Sequence, residues 1–340
     1  CPACSGELVA LAILSADRGG ACIRVGTCRG CGYTGYRDRP SADWISRYYA
    51  EVWSHGAEKD VEGLRAKRPP ENQATDALRR AIGRMTDRSR AVLEIGAGYG
   101  TMLRFVRGQG FPNAIGIESS RARTEAARQA TSLAILEGDF ESPPLQRELA
   151  RKAPFGLIYL FHVLEHTYHP AEIMAGIARL QSPGDLLVIG VPNLEGEPAM
   201  NVLLFLPHLH SFALPALGAL LIRSGYEIID HAGCDRANLN VIARKRTAAG
   251  PTAPPSGRQF SVADKFNREL ALAASQPHGR PLDAARGKQR YFWSKKDAAL
   301  SGIEPYRWYW RATDYLHGRR GHHRTRRKTS SYRLQATRWD

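Results

Sequence analysis

A strand, a glycine-rich turn and a helix follow one another between residues 91 and 109, and this unit constrains the fold more than any other stretch. The apolar run Ala91–Ile95 predicts a buried strand, and it leads directly into Gly96-Ala97-Gly98-Tyr99-Gly100. Glycines let the backbone approach a ligand closely and adopt positive φ. The helix predicted at 101–109 directs its first amide groups at the same place. The unit therefore predicts a ligand site at the carboxyl end of a buried strand.

Strands and helices alternate from residue 86 to residue 246. Further apolar runs predict four more strands, at 114–118, 133–136, 157–161 and 186–191. Repeated strand–helix units form a parallel sheet with right-handed crossovers. The last two predicted strands, 226–229 and 240–243, have no helix between them, which indicates an antiparallel hairpin. The expected fold class is α/β, with a Rossmann-like seven-stranded sheet that is parallel except for this terminal hairpin.

Acidic residues end the next two predicted strands. At the position of Glu118 a carboxylate can accept hydrogen bonds from both hydroxyls of a ribose. Asp139 follows the third strand, where an acid can bind an adenine amino group, and the ring of Phe140 can lie against the base. A glycine turn alone also occurs in dinucleotide-binding proteins. The terminal hairpin, however, is unlike an NAD domain.

Four of the six cysteines form two Cys-x-x-Cys pairs, namely Cys1, Cys4, Cys28 and Cys31. Two such pairs place four thiolates in a tetrahedron around Zn²⁺, and so short a segment needs bound metal to fold. Residues 1–40 are therefore predicted to be a structural zinc ribbon, with a redox dithiol or a degenerate ribbon as the alternatives. The paired spacing also fits a reducing compartment, so we expect a cytoplasmic protein.

Over about 160 residues, within the segment 86–246, the sequence resembles the class I S-adenosylmethionine (SAM)-dependent methyltransferases. The matching segments are the glycine turn, Gly116-Ile117-Glu118, Gly138-Asp139, His162-Val163-Leu164-Glu165-His166 and Val191-Pro192-Asn193. The resemblance implies SAM as the cofactor, with its methionine end at the glycine turn, its ribose at Glu118 and its adenine at Asp139. The expected cofactor-binding residues are Glu94, Gly96, Ala97, Gly98, Tyr99, Glu118, Asp139, Phe140 and His162. The cysteine pairs, with residues 39–41 and 47–49, resemble a ribbon-bearing subgroup often linked to sugar and surface-glycan modification.

Three candidate catalytic residues, His162, Glu165 and His166, follow the fourth strand of the series, whose carboxyl end faces the ligand crevice in a sheet of this kind. One interpretation makes His162 or His166 the general base that deprotonates an acceptor hydroxyl, because imidazole titrates near neutrality. A purely structural role at the strand–helix junction is an alternative.

A divalent metal is the third interpretation of the same segment. His162, Glu165 and His166, together with His210, offer nitrogen and oxygen ligands. The pattern resembles the Glu-x-x-Glu-His motif of ubiquinone-type O-methyltransferases and of small-RNA 3′-terminal 2′-O-methyltransferases. His162 replaces the first Glu of that motif, which weakens the case for Mg²⁺.

Basic charge concentrates at the carboxyl-terminal end. Of the formal net charge of +15, residues 251–340 contribute +12, with 19 Lys and Arg against 7 Asp and Glu. Such a segment favours a polyanionic partner, either RNA, an acidic glycan or a membrane surface, or else it is a solvated extension. Composition predicts a helical connector or lid at 41–85, a linker at 247–257 and a basic extension of unassigned fold at 258–340.

Three functions fit these features. The preferred one is methyl transfer to a hydroxyl of a sugar, glycan or other small acceptor, with carbon or nitrogen less favoured. The second is RNA methylation that uses the basic tail, and the third is a scaffold without catalysis. Prolines and histidines interrupt the apolar stretch 202–222, so we expect no transmembrane segment, and no signal peptide is visible. The sequence begins at Cys1 without a methionine, which leaves open whether residues precede it.

Overall fold

The computed structural model describes residues 1–15, 22–37, 39, 41–42, 45, 49, 63–64, 68–196, 207–232 and 237–247. The strands in these residues are β1 (Leu8–Ser15), β2 (Cys22–Cys28), β3 (Thr34–Tyr36), β4 (Ala91–Ile95), β5 (Ala114–Glu118), β6 (Ile135–Glu137), β7 (Phe155–Phe161), β8 (Leu186–Pro192), β9 (His210–Ser211), β10 (Tyr226–Ala232) and β11 (Asn238–Lys245). The α-helices are α1 (Gln73–Gly83), α2 (Thr101–Gly108), α3 (Arg121–Thr131), α4 (Pro143–Lys152), α5 (Pro170–Arg179) and α6 (Leu214–Arg223). The extension 258–340, almost all of the predicted linker 247–257 and most of residues 41–67 of the predicted connector 41–85 lie outside the described residues.

Seven strands form the larger sheet, in the order β10-β11-β8-β7-β4-β5-β6. β4 pairs in parallel with β5 and β7, and β8 continues the parallel arrangement. β11 runs antiparallel to both β8 and β10. This confirms the predicted fold class, including the terminal hairpin. Because parallel strands place their carboxyl ends at one edge, the loops after β4, β5, β6 and β7 meet there.

Helices cover both faces of this sheet, and alternate strand residues contribute to the two layers. Val92 packs with α1 and α2, whereas its neighbour Leu93 packs with α5 and α6. Side chains point alternately to opposite faces of a strand, so both faces must be apolar. All seven residues of β8 are buried accordingly. The polar helix α4 was absent from the sequence-based expectation, and it contributes only Leu145 and Leu149 to the core.

The cysteine-bearing segment forms a second sheet, in the order β1-β2-β3-β9. Its fourth strand, β9, comes from the larger domain. Gly35 of β3 pairs with His210 of β9. The ring of Tyr33 contacts that of Phe212 edge-on, with 5.9 Å between the ring centroids. The Arg223 guanidinium donates to the carbonyl of Ala3 at 3.1 Å. The small sheet and the larger domain therefore share a continuous core.

Among the described residues, no helix combines the length and the apolar character that crossing a bilayer requires.

We expect Gly35→Ala to destabilise the junction of the two sheets. A β-carbon at Gly35 would meet the hydroxyl of Tyr33 and lie 2.9 Å from the carbonyl oxygen of Leu209. Overpacking of this kind costs about 1–3 kcal/mol of unfolding free energy, measured by thermal or chemical denaturation. Gly83→Ala is the control, because its β-carbon would meet open space at the end of α1. Equal stability of the two variants would contradict the tight packing of this junction.

Candidate functional site

The glycine turn after β4 adopts the backbone conformation that its sequence predicts. Gly96, Gly98 and Gly100 have φ values of 77°, 54° and 72°. The amides of Gly96 and Ala97 donate to the carbonyl of Ile117 at 2.9 and 2.8 Å, which fastens the turn to β5. Such φ values are uncommon for residues with side chains and favour glycine. A β-carbon on Gly96 would also collide with the side chain of Val163, which places the turn directly against the segment after β7.

Glu118 occupies the tip of β5 beside this turn. One carboxylate oxygen accepts from the amide of Gly98 at 2.8 Å, and the other accepts from the amide of Ser120 at 2.9 Å. A carboxylate oxygen can accept more than one hydrogen bond. Glu118 can therefore hold the turn in place and still accept hydroxyl donors. The neighbouring Tyr99 ring lies 5.4 Å below the guanidinium carbon of Arg123.

Glu94, on β4, is buried inside the sheet. Burial raises the pKa of this carboxyl group well above its ordinary value, and the nearby charge of Glu118 raises it further, although Tyr159 opposes the rise. The Tyr159 hydroxyl donates to Glu94 Oε2 at 3.1 Å. Burial therefore disfavours the charged form of Glu94 relative to a solvent-exposed acid. Tyr159 was not among the residues that the sequence singled out.

The two residues after β6 have different surroundings. Asp139 is exposed, and its side chain accepts from the amide of Glu141 at 3.0 Å. The amide of Gly138 donates to the carbonyl of Glu118, so the two strand tips are adjacent. Phe140 is only 5 % exposed and packs in the core against Gly176 of α5. Its ring is thus part of the protein core, in contrast to the expectation that it lies against an adenine.

His162 directly follows β7 with an unusual backbone. Its φ of 55° lies in the left-handed region, which is uncommon for a residue with a side chain and often marks functional sites. About half of the side chain is exposed, and Nδ1 lies 3.2 Å from Glu165 Oε1. Burial opposes a charge on His162, but the hydrogen bond and charge of Glu165 outweigh it and raise its pKa. The imidazole is therefore held at the sheet edge by an acidic partner.

Glu165 is a buried carboxylate among imidazoles. It is 1 % exposed, and its Oε1 atom also lies 3.6 Å from His166 Nε2. Burial raises the pKa of Glu165, but His166, His162 and His208 outweigh this effect and lower it to about 2. Burial lowers the pKa of His166, although Glu165 acts in the opposite direction. Within the described part of the chain, the buried Oε2 atom has no hydrogen-bond partner.

His208 and Tyr49 complete this cluster. The Tyr49 hydroxyl lies 2.6 Å from His166 Nδ1, and the rings of His166 and His208 are 4.8 Å apart. Ligand atoms of Glu165, His166 and His208 all lie within 4.8 Å of one another. Such a set offers one oxygen and two nitrogen ligands to a metal ion.

His210 does not belong to this cluster, which corrects the ligand set expected from the sequence. Its Nδ1 atom lies 2.5 Å from the Tyr33 hydroxyl, and its Nε2 atom lies 2.9 Å from the carbonyl of Thr167. Both ring nitrogens are thus engaged. His162 contacts Glu165 but is likewise outside the group of close ligand atoms. His208 was visible in the sequence two residues earlier, but spacing alone could not distinguish the two histidines.

The four cysteines lie together as their spacing predicts. The Sγ atoms of Cys1 and Cys31 are 3.6 Å apart, those of Cys4 and Cys28 are 3.4 Å apart, and all four lie within 4.8 Å. Tetrahedral zinc with Zn–S bonds of about 2.3 Å needs S···S distances of about 3.8 Å. Burial raises the pKa of Cys31 to about 12, so a bound cation is needed to hold its thiolate near neutral pH. The donor set and its size therefore fit a metal ion.

Comparison with known proteins identifies the larger domain. Residues 65–231 match the model of a family described as a methyltransferase domain. No protein of curated function matches the sequence. A chain from the complex of the Haloferax volcanii Trm112 methyltransferase activator with a methyltransferase is 15% identical, with a TM-score of 0.46, and the match covers 61% of this chain and 100% of that one.

Two further solved structures are similar to this chain. A SAM-dependent methyltransferase from Mesorhizobium loti is 19% identical over 50% of this chain and 100% of its own, with a TM-score of 0.40. Magnesium protoporphyrin IX methyltransferase from Synechocystis PCC 6803, with bound S-adenosylhomocysteine (SAH), is 14% identical over 60% of this chain and 100% of its own, with a TM-score of 0.44. At these identities the likeness is one of fold alone.

We expect Glu165→Gln to lower the pKa of His162. Glu165 raises that pKa by stabilising the imidazolium, so an uncharged partner lets His162 lose its proton at a lower pH. Ring-proton NMR shifts of chelator-treated protein, followed across pH, measure the change. Glu172→Gln is the control, because this exposed acid contacts His169 on the far side of the segment. An unchanged His162 titration in Glu165→Gln would refute the coupling.

Proposed function

Because residues 65–231 form a class I SAM-dependent methyltransferase domain, we propose that the protein transfers the methyl group of SAM to a hydroxyl of a sugar, a glycan or another small acceptor. One observation carries this proposal. The glycine turn at Gly96 lies against Val163, and the residue directly before Val163 is His162, whose imidazole is half-exposed. A cofactor loop and a candidate base therefore meet at one point of the sheet edge.

SAM supplies an electrophilic methyl group, and the residues of this chain bind and orient it. Glu94, Gly96 and Gly98 border the methionine end, with Ala97 and Tyr99 in the same turn. The amides at the start of α2 add a favourable dipole for the carboxylate of that end. Glu118 would accept hydrogen bonds from the ribose hydroxyls, and Asp139 would accept one from the adenine amino group. The positions of these acids support the proposal, because Glu118 ends β5 and Asp139 follows the neighbouring strand β6 at the same edge of the sheet.

His162 is the general base in this proposal. The proton of the acceptor hydroxyl passes to His162 Nε2, while Nδ1–H remains directed at Glu165 Oε1, 3.2 Å away. The carboxylate stabilises the imidazolium that forms, as the acid of a catalytic dyad does. Methyl transfer is an in-line displacement, so positioning of the acceptor contributes much of the rate. His166, whose Nδ1 atom lies 2.6 Å from the Tyr49 hydroxyl, is the second imidazole beside Glu165 and would border the acceptor.

A divalent cation at Glu165, His166 and His208 is a second candidate for the same chemistry. The observation that favours it is the buried Glu165 Oε2 atom, which is ionised and lacks a hydrogen-bond partner among the described residues. An unpaired buried charge is costly, and a cation would compensate it. A cation there would polarise an acceptor hydroxyl. Loss of methyl transfer on chelation, with recovery on adding the metal, would favour this candidate over the base alone.

RNA is the alternative acceptor. The observation behind it is the net charge of +12 on residues 251–340, which favours phosphate binding. Affinity for RNA would fall steeply between low and moderate salt, whereas affinity for a neutral sugar would change little. A tritiated-SAM transfer screen over nucleotide sugars, glycans and RNA at two salt concentrations separates the two acceptors. The intact glycine turn and both strand-tip acids disfavour a scaffold without SAM.

The four cysteines hold structural zinc in this proposal, and reduced cysteine pairs fit a cytoplasmic protein. We expect elemental analysis of purified protein to find one zinc per chain, and Cys28→Ser to lower zinc content and melting temperature together. The reason is that Cys28 is buried beside Cys4, so its replacement leaves three thiolates in the cluster. Ser89→Ala, at an exposed turn, should change neither. Wild-type protein with a full complement of free thiols and no zinc would contradict the ribbon.

Glu118→Ala is expected to weaken SAM binding roughly 10- to 100-fold, because it removes a charged acceptor for the ribose and two amide contacts of the turn. Isothermal titration calorimetry measures the affinity. Glu137→Ala is the matched control, since Glu137 is the neighbouring residue on β6 and is exposed. Equal affinities of the two variants would show that the ribose binds elsewhere.

His162→Ala should lower turnover roughly 10²- to 10⁴-fold while SAM affinity changes little, since the side chain acts on the acceptor proton. Rates under saturating SAM and acceptor measure the first effect, and calorimetry measures the second. His169→Ala, which removes an exposed histidine seven residues later, is the control. Wild-type turnover in His162→Ala would exclude this histidine as the base.

A further inference from the structure

The cysteine ribbon contacts the same segment that carries the candidate catalytic residues. β3 of the ribbon pairs with β9, so that Thr34 faces Ser211 and Gly35 faces His210. β9 begins only two residues after His208. The ribbon is therefore attached at the acceptor side of the larger domain and not at a remote surface.

A directional chain of hydrogen bonds crosses this junction. His210 is fully buried, and both of its ring nitrogens have a partner across the junction. The carbonyl of Thr167 can only accept, so the Nε2–H of His210 donates to it. The Nδ1 atom, on the other side of the ring, lies 2.5 Å from the Tyr33 hydroxyl. The chain runs from Tyr33 through His210 to the backbone directly after His166.

The metal-binding turn holds the first member of this chain. The amide of Cys28 donates to the carbonyl of Tyr33 at 2.7 Å, and Cys31 lies two residues before Tyr33. Tyr33 is completely buried. A shift of the turn that carries Cys28 and Cys31 therefore moves the tyrosine hydroxyl.

Arg39 makes a second connection from the ribbon side. Its guanidinium donates to the carbonyl of Tyr168 at 3.2 Å, and its Nε donates to the carbonyl of Tyr36 at 3.3 Å. The guanidinium carbon also lies 5.9 Å from the centre of the Tyr168 ring. Two consecutive carbonyls are thus connected to the ribbon. The carbonyl of Thr167 accepts from His210, which contacts Tyr33, and the carbonyl of Tyr168 accepts from Arg39.

We propose that the metal-loaded ribbon positions the Glu165–His166 segment through the hydrogen-bond chain Tyr33–His210–Thr167, so that Tyr33 and His210 are positioning residues for methyl transfer. This inference rests on the proposed function. Zinc on the four cysteines would fix the turn, and the turn would fix the position of Tyr33. Through His210, Tyr33 would then fix the position of Thr167, the residue directly after His166. The ribbon is then a part of the acceptor site and not a separate binding module.

Tyr33→Phe tests the chain by removing only the hydroxyl. Its matched control is Tyr226→Phe, because Tyr226 is also fully buried and donates a single hydrogen bond, 2.7 Å long, to Gln181 on another side of the domain. We expect both variants to lose similar thermal stability. Only Tyr33→Phe should lose turnover, roughly 10- to 100-fold, with SAM affinity unchanged, because small displacements of reacting groups are costly. Equal turnover of the two variants would overturn the proposal.

Histidine NMR of ¹⁵N-labelled protein tests the hydrogen-bond chain Tyr33–His210–Thr167 without an assay of methyl transfer. His210 should show the Nε2–H tautomer in zinc-loaded wild-type protein, and its Nδ1 shift should move in Tyr33→Phe and after removal of zinc, but not in Tyr226→Phe. Restoring zinc should restore the shift. An unchanged His210 signal after zinc removal would overturn the proposal. Wild-type protein that passes this test but neither binds SAM nor transfers methyl groups would refute the proposed function instead.

Discussion

The close contact between the glycine turn and the segment after β7 is the constraint on which the rest of the site depends. A side chain at Gly96 would occupy the space of Val163, so the two loops can approach only because the turn lacks a β-carbon. The turn is fastened from the other side by the amide of Gly98, which donates to Glu118. Three strand ends thus meet at one edge of the sheet. The family match and the sheet order give this edge its interpretation as a cofactor site.

Charge at this edge is organised by burial. Glu94 and Glu165 are both buried acids, yet their pKa values shift in opposite directions. Burial and the nearby charge of Glu118 raise the pKa of Glu94, and the hydrogen bond from Tyr159 only partly offsets this rise. Glu165 is surrounded by imidazoles, so it is ionised. These opposite shifts give the glycine turn and His162 different electrostatic environments.

Local sequence patterns predicted the strands of the large sheet and the cysteine cluster. The seven strands of the large sheet were predicted from apolar runs, with small differences such as 133–136 against the observed Ile135–Glu137. The cysteine cluster followed from spacing alone. β9 was not predicted, because it has two residues and pairs with a strand some 175 positions earlier in the chain. The sequence suggested that Phe140 lies against an adenine and that His210 binds a metal ion. Tertiary packing buries both side chains, Phe140 against Gly176 and His210 against Tyr33. A single sequence holds no signal for such contacts.

The central claim is that a cofactor binds at the carboxyl ends of β4, β5 and β6. Titration of SAM into zinc-loaded wild-type protein, followed by calorimetry, tests it most directly. The account predicts saturable binding of one SAM per chain, with SAH competing for the same site. Absence of binding by folded, zinc-loaded protein would contradict it.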